Sequence, residues 1–291
     1  MRSCPVAEGP YGQLRETSCL WARPTVRGFT QGNDVDTPSI HDRTGGISGG
    51  FQAAVGANTW AGLGVSIEDS NTEINGTTKS DGTWWQIGGV AKWTQGPWKL
   101  SSSLSGGQGN IDTERGINIP GVSAIAASGT DVGLVTNLTR LAYSFGATGF
   151  YVTPMIDLGI NYINIDGYTE TGAGALNLAV SSSSDWIVSG GPAVEIGSTI
   201  TADGLTYRPY VKAGITFLSE DNFQTTARLA AAPLSVAPFT IRSKFDDVFA
   251  DFNAGVQMFS NNGLNLRLNY DGHYGENSRQ HGLDAKLTVN Y

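Results

Sequence analysis

Residues 283–291 read Leu283-Asp-Ala-Lys-Leu-Thr-Val-Asn-Tyr291, apolar at every odd position and polar or charged at every even one. In an extended chain, side chains alternate across the strand, so Leu283, Ala285, Leu287, Val289 and Tyr291 form one greasy row and Asp284, Lys286, Thr288 and Asn290 a wet one. Two environments accept such a segment. In a soluble sandwich the greasy row meets a second sheet; in a transmembrane barrel it meets lipid while the wet row lines a water-filled lumen.

The same period recurs along the chain. Ala61, Leu63, Val65 and Ile67 alternate with glycines, Ser66 and Glu68; Val152, Pro154, Ile156, Leu158 and Ile160 alternate with Thr153, Asp157, Gly159 and Asn161; Leu264, Leu266, Leu268 and Tyr270 alternate with Asn265, Arg267, Asn269 and Asp271. No window shows a helical period of comparable clarity. The reading is an all-β chain of about 12 strands, near 19–31, 45–55, 59–69, 83–94, 98–109, 131–144, 149–165, 185–200, 205–218, 247–259, 264–275 and 279–291. Such lengths suit tilted strands crossing a bilayer, which need about 9–11 residues, better than soluble strands of about 5–6. Tight turns at 56–58, 95–97, 146–148, 202–204 and 261–263 alternate with long polar connections around 33–43, 71–81, 110–129, 167–184, 220–246 and 272–278, which sorts turns to one rim and loops to the other. Pro24, Pro154, Pro192 and Pro209 fall inside strand candidates. Bulges are expected at Pro24 and Pro192, and another in 131–144, where Leu134 and Leu138 lie on one parity and Leu141 and Tyr143 on the other.

Composition narrows the functions. The 291 residues carry net charge −8, with 15% charged residues. An acidic chain without a basic cluster is not a nucleic-acid binder. No run approaches the roughly 20 apolar residues of a membrane helix, so membrane association would be by barrel or surface. The first residues lack the apolar core of a secretory signal, so an exported form would be a piece or the tail of a longer precursor. Residues 1–18 are taken as a separate N-terminal segment and 19–291 as the barrel. Cys4 and Cys19 would close a loop worth about 3 kcal/mol in the chain-entropy model if the compartment is oxidising; two free thiols at a frayed end are the alternative.

The wet parity carries Arg23, Arg27, Glu68, Lys92, Asp157, Glu195, Arg208, Lys212, Asp251, Arg267, Asp271, Asp284 and Lys286. Charges of both signs are tolerated in a hydrated lumen, whereas Arg or Lys facing the bilayer centre costs about 2–4 kcal/mol. The outer face of a soluble sheet would tolerate them too. Trp21, Trp60, Trp85, Trp93, Trp98, Trp186, Tyr210, Phe217, Tyr270 and Tyr291 cluster toward strand ends, as two interfacial girdles would. His273 and His281, with Asn277 and Ser278, are the one grouping with nucleophile and base types, and solvation accounts for them. There is no metal-ligand motif, phosphate loop or nucleophile elbow, so no enzyme, metal or cofactor is expected.

Four stretches carry a family resemblance: the entry strand with Cys19-Leu-Trp-Ala22; Tyr151-Val-Thr-Pro-Met-Ile-Asp-Leu-Gly-Ile-Asn-Tyr162 with Tyr168-Thr-Glu-Thr-Gly172; Tyr207-Arg-Pro-Tyr-Val-Lys-Ala-Gly-Ile-Thr-Phe217; and the terminal alternation. Together they resemble the C-terminal translocator domain of autotransporters, the monomeric type V secretion proteins. The resemblance implies a single up-and-down antiparallel 12-stranded barrel in the outer membrane of a Gram-negative bacterium, surrounded by lipid, exporting an N-terminal passenger absent from this chain. It also implies that the barrel-assembly machinery reads Leu283, Leu287, Val289 and Tyr291. Family barrels thread a helix between passenger and first strand, but Pro5, Gly9, Pro10 and Gly12 are poor helix formers. An outer-membrane channel or surface adhesin, and a soluble β-sandwich binding module, remain as alternatives.

Overall fold

A computed structural model describes residues 4–8, 10–32, 38–147, 149–233, 235–260 and 262–291. Twelve strands form the wall: β1 (Cys19–Gln31), β2 (Ile40–Gly56), β3 (Thr59–Ile74), β4 (Thr78–Gln95), β5 (Trp98–Ile119), β6 (Val122–Tyr143), β7 (Phe150–Ile165), β8 (Ser183–Ser198), β9 (Leu205–Leu218), β10 (Val248–Ser260), β11 (Leu264–Tyr274) and β12 (Ser278–Asn290). Each pairs antiparallel with its neighbours in sequence, and β12 pairs with β1, so the sheet closes. Closure leaves no edge, the condition under which a sheet can lie in hydrocarbon.

The apolar rows face outward. Among the described residues, forty-six large hydrophobics are exposed and fourteen apolar residues are buried. Leu283, Leu287 and Val289 are 57%, 45% and 47% exposed, with Ile156 and Leu158 at 62% and 46% on β7. A second protein layer would have covered them, so the soluble sandwich is excluded. The aromatics divide by face. Trp93, Trp98, Phe145 and Phe150 point outward near the short turns, and Trp85, Trp186 and Phe217 point outward toward the other rim. Trp98 stacks edge-on against Tyr143 at 4.8 Å, and Trp186 lies 4.8 Å from Tyr162. Contrary to expectation, Trp21 and Trp60 are buried and Tyr210 lines the lumen. They lie on the inward parity of β1, β3 and β9.

The expected bulges at Pro24 and Pro192 are absent. Beside each of the four wall prolines the ladder loses adjacent rungs and resumes in the same register, as between Asp284↔Thr25 and Leu287↔Ala22 at the β12–β1 seam. A missing N–H deletes a rung; only an extra residue makes a bulge. Among the described residues, the one register shift in the wall falls between Ala54 and Gly56. Strand β6 also runs in register throughout. Its even positions, Leu134 and Leu138 included, face inward, while Leu141 keeps to the outer face.

The long connections are shorter than expected. Segments 71–81 and 110–129 are mostly strand, capped by tight turns with Asn75 at φ 53° and Gly76 at φ 68° in one and Gly121 at φ 84° in the other. Segments 167–184 and 220–246 supply a separate four-stranded sheet from Tyr168–Thr169, Leu178–Val180, Asn222–Leu229 and Phe239–Lys244. Arg115 on β5 fastens it, its Nε 2.8 Å from Glu170 and its Nη2 3.1 Å from the Leu176 carbonyl. Burial pushes the Glu170 carboxyl up, but hydrogen bonds from Arg115 and the Leu178 amide bring it below its ordinary value. Within expected loops and turns, residues 33–37, Thr148, Leu234 and Asn261 lie outside the described residues.

Leu158→Arg, on the outer face, is expected to lower barrel stability in lipid vesicles by about 2–4 kcal/mol. Ser103→Arg, on the lumen face, is expected to cost far less. Denaturant titrations of the two variants measure the difference; equal costs would mean that the outer face does not meet hydrocarbon.

Candidate functional site: the lumen and its N-terminal plug

The inward parity lines a chamber of about 670 Å³. Of the residues expected there, Arg23, Arg27, Glu68, Glu195, Arg208, Lys212, Arg267, Asp271, Asp284 and Lys286 line it. Asp157 is bonded to Arg140, and Asp251 lies 2.6 Å from both His273 Nδ1 and the Thr216 hydroxyl. Lys92 is buried beneath the chamber, 2% exposed. Lys99 and Arg140 also line the lumen and were missed, although Lys99 and Ser101 alternating with Trp98 and Leu100 carry the parity that reveals the first. The polar grouping 273–281 is split. His273 faces inward to Asp251, His281 faces outward with its Nδ1 2.7 Å from the Tyr270 hydroxyl, and Ser278 donates to Asp246.

Residues 4–8 and 10–17 close the chamber at the short-turn end. Pro5–Glu8 and Leu14–Glu16 pair antiparallel around a single turn at Pro10–Gly12, so the segment is a hairpin and not the threaded helix that the resemblance implied. A disulfide joins Cys4 to Cys19 across a Cα separation of 5.8 Å, packed with Trp21. The wall holds the hairpin at several points near the short turns. Asn265 and Asn290 donate to the Pro5 carbonyl at 2.9 and 3.2 Å, and Gln52 to the Thr17 carbonyl at 3.0 Å. Arg208 lies 3.8 Å over the Tyr151 ring and donates to the Gly12 carbonyl. Gly12 sits at φ 68°, and a Cβ there would fall 2.6 Å from Tyr151 Cβ, so only glycine fits the hairpin's turn against the wall.

Glu16 is the centre of this contact. Its carboxylate accepts from the Cys4 amide at 2.9 Å, Gln52 Nε2 at 3.0 Å and Lys92 Nζ at 3.1 Å, and it pairs with Lys99. The side chain is fully buried and Lys92 nearly so. Burial alone would push the Glu16 carboxyl up, but the charges of Lys99 and Lys92 and the Gln52 hydrogen bond hold it well below the carboxylate range. Removing one partner of such a pair leaves an uncompensated buried charge and costs about 3–5 kcal/mol. Sequence periodicity had no means of finding Glu16, because the plug contributes to neither parity.

With this geometry established, the comparisons are specific. Residues 20–271 match the sequence model described as Autotransporter beta-domain. The chain belongs to the autotransporter β-domain family. Its fold resembles the translocator domain of the autotransporter NalP from Neisseria meningitidis (15% identity, TM-score 0.76, covering 95% of this chain and 89% of that one). It also resembles the β-domain of the Bordetella autotransporter BrkA (16%, 0.67, 95% and 100%) and the transport unit of AIDA-I from Escherichia coli (8%, 0.58, 94% and 90%). No curated protein sequence matches the chain. This autotransporter β-domain is an outer-membrane translocator barrel of the Gram-negative type, a family whose role is transport.

Glu16→Gln is expected to undock the plug and raise single-channel conductance in planar bilayers. Acid should act in the same direction. Glu16 titrates lower in the docked plug than in the free segment, so its contribution is whole above about pH 4.3 and is lost progressively below it. A conductance unchanged between pH 7 and pH 3, and unchanged in the variant, would refute the role given to Glu16.

Proposed function

We propose that this barrel anchors a passenger polypeptide in the outer membrane and conducts it to the cell surface, acting as a monomer and as a conduit without catalysis of its own. The chain divides into the N-terminal segment 1–18 and the barrel 19–291, with residues 4–8 and 10–18 as the described part of that segment. The observation that carries the reading is a closed, hydrated lumen whose mouth is held by the segment leading into β1. Any N-terminal passenger must be joined to the barrel through that segment. The docked plug occupies the mouth, which opposes the alternative of a steadily open channel. Transit and plugging compete for the same wall contacts, so export comes before the plug docks and the Cys4–Cys19 bond closes.

The terminal strand serves assembly in this scheme. Leu283, Leu287 and Val289 present an unbroken outward row, and Tyr291, 71% exposed, donates its amide to the Ser18 carbonyl at 3.2 Å beside the start of β1. That arrangement suits recognition of the row and the aromatic end by the barrel-assembly machinery before β12 is paired.

Export is tested by fusing a reporter passenger ahead of Met1 and measuring protease-accessible reporter on whole cells. Cys4→Ser is expected to export at least as much as the unaltered chain, and an oxidant applied before export is expected to block the unaltered chain alone. Equal blockage of both would detach the disulfide from the timing. Tyr291→Ser is expected to lower the folded, heat-modifiable fraction in cells several-fold while leaving detergent refolding of the purified chain nearly intact, and equal losses in both settings would make Tyr291 a stability residue.

A further inference from the structure

Beside the β12–β1 seam the outer face changes character at one height. Toward the short turns lies a cleft of about 620 Å³ lined almost wholly by apolar atoms, among them Pro24, Val26, Ala254, Leu268, Leu283 and Ala285. Tyr270 stands at its upper end, with its hydroxyl 2.7 Å from His281 Nδ1 and 2.8 Å from the Tyr274 hydroxyl. Directly opposite residues of paired strands share a face. His281 and Arg43 both stand opposite Gly28, one on either side of it, and Arg279 stands opposite Thr30 one outward step higher. All three are exposed and keep the outward parity of Val26 and Leu283, the last apolar row before this rim. Adjacent strands lie about 4.8 Å apart, so Arg43 and His281 flank Gly28 across about 10 Å. That space is open: a Cβ on Gly28 would meet only the Asp42 carbonyl oxygen, at 3.9 Å, and one on Gly45, below Arg43, would meet nothing within 4 Å. Among the described residues, neither Arg43 nor Arg279 makes an ion pair or a side-chain hydrogen bond. Glu73, opposite His41, and Glu276, in the β11–β12 turn, are acids at the same rim and pair with neither arginine.

We infer that Arg43, Arg279 and His281 form the headgroup site, and the cleft below them the acyl-chain site, for a membrane lipid that carries a terminal phosphate. Arginine at the border of an apolar belt keeps its charge in the headgroup layer, and its planar fork matches phosphate oxygens. The occupant is a lipid because the basic notch runs into the apolar cleft through Val26 and Leu283, on the face that the barrel gives to hydrocarbon. A lipid held there spans β11, β12, β1 and β2 from outside, across the seam where Pro24 has removed rungs. The site lies on the outer face of the wall and is independent of passenger export.

The full-length barrel in a neutral detergent is titrated with phosphatidic acid and, separately, with phosphatidylcholine of the same acyl chains, and native mass spectrometry counts the bound lipid. Phosphatidic acid should bind saturably and about tenfold or more tighter than phosphatidylcholine, the gain expected from charge-assisted hydrogen bonds to an unshielded phosphate. Arg43→Gln combined with Arg279→Gln should erase that preference. Lys79→Gln, at the same rim but between Glu73 and Glu114, should leave it within about threefold. Ala285→Trp, which fills the cleft, should weaken both lipids. Equal affinity for the two lipids, a preference that survives the double substitution or is lost equally in Lys79→Gln, or no effect of Ala285→Trp would each overturn the site. A second measurement needs no variant. Phosphatidic acid should raise the unfolding temperature of the unaltered barrel more than phosphatidylcholine or inorganic phosphate does, because a ligand of the folded state alone stabilises it. Inorganic phosphate matching the lipid would make the notch a free-anion site and overturn the proposal.

Discussion

The structure depends on one constraint: in hydrocarbon, the backbone of each strand can find hydrogen-bond partners only in its neighbours. A sheet meets this condition by returning to its first strand, and here β12 returns to β1. Outward apolar rows, an inward polar face and sorted turns follow from closure. So does the importance of the seam, because two of the four proline gaps lie within the wall away from the short turns and one of them, at Pro24, lies on the seam itself. The register survives all four gaps. With turns fixing both ends of most strands, a slip of one residue would turn every apolar side chain inward, so a lost rung costs a hydrogen bond without changing the pairing.

The membrane-spanning part of each strand was legible because lipid and lumen impose opposite chemistry on alternate residues. Beyond the bilayer both faces are wet, and the alternation fades. For that reason 110–129 reads as a loop although β5 and β6 continue through it. Parity also misleads where the lumen accepts apolar side chains, since Leu134 and Leu138 suggest a bulge only if every leucine is assumed to face lipid. Trp21 and Trp60 show the same error in aromatics. Cys4 and Cys19 could be singled out by their separation, but Glu16 could not, because its partners Lys92 and Lys99 lie far along the chain and no local pattern points from one to the others.

A barrel of this kind inverts the usual economy of a protein interior. Its polar groups are inside, so order there comes from ion pairs and hydrogen bonds rather than from packed hydrocarbon. The two ends of the lumen solve this differently. At the short-turn end a disulfide and a buried carboxylate between two lysines fix a short hairpin against the wall. At the other end a small sheet built from two connections is pinned by Arg115 and Glu170. The first device depends on oxidation and on the charge of Glu16; the second depends on neither.

That difference bears on how the closed state is reached. The plug's wall contacts come from β2, β4, β5, β9, β11 and β12, so most of the barrel must be in place before the hairpin has anything to dock against. Cys4 and Cys19, by contrast, are near neighbours in sequence and could meet in an unfolded chain. If they joined early, the segment would be a small closed loop before the wall existed and would have to be enclosed as the wall formed. If they joined late, the wall would first bring Glu16 to Lys92 and Lys99, and the ion pairs would hold the thiols in place. The buried carboxylate favours the second order, because desolvating Glu16 is favourable only after both lysines are positioned, and they are positioned by the finished β4–β5 hairpin.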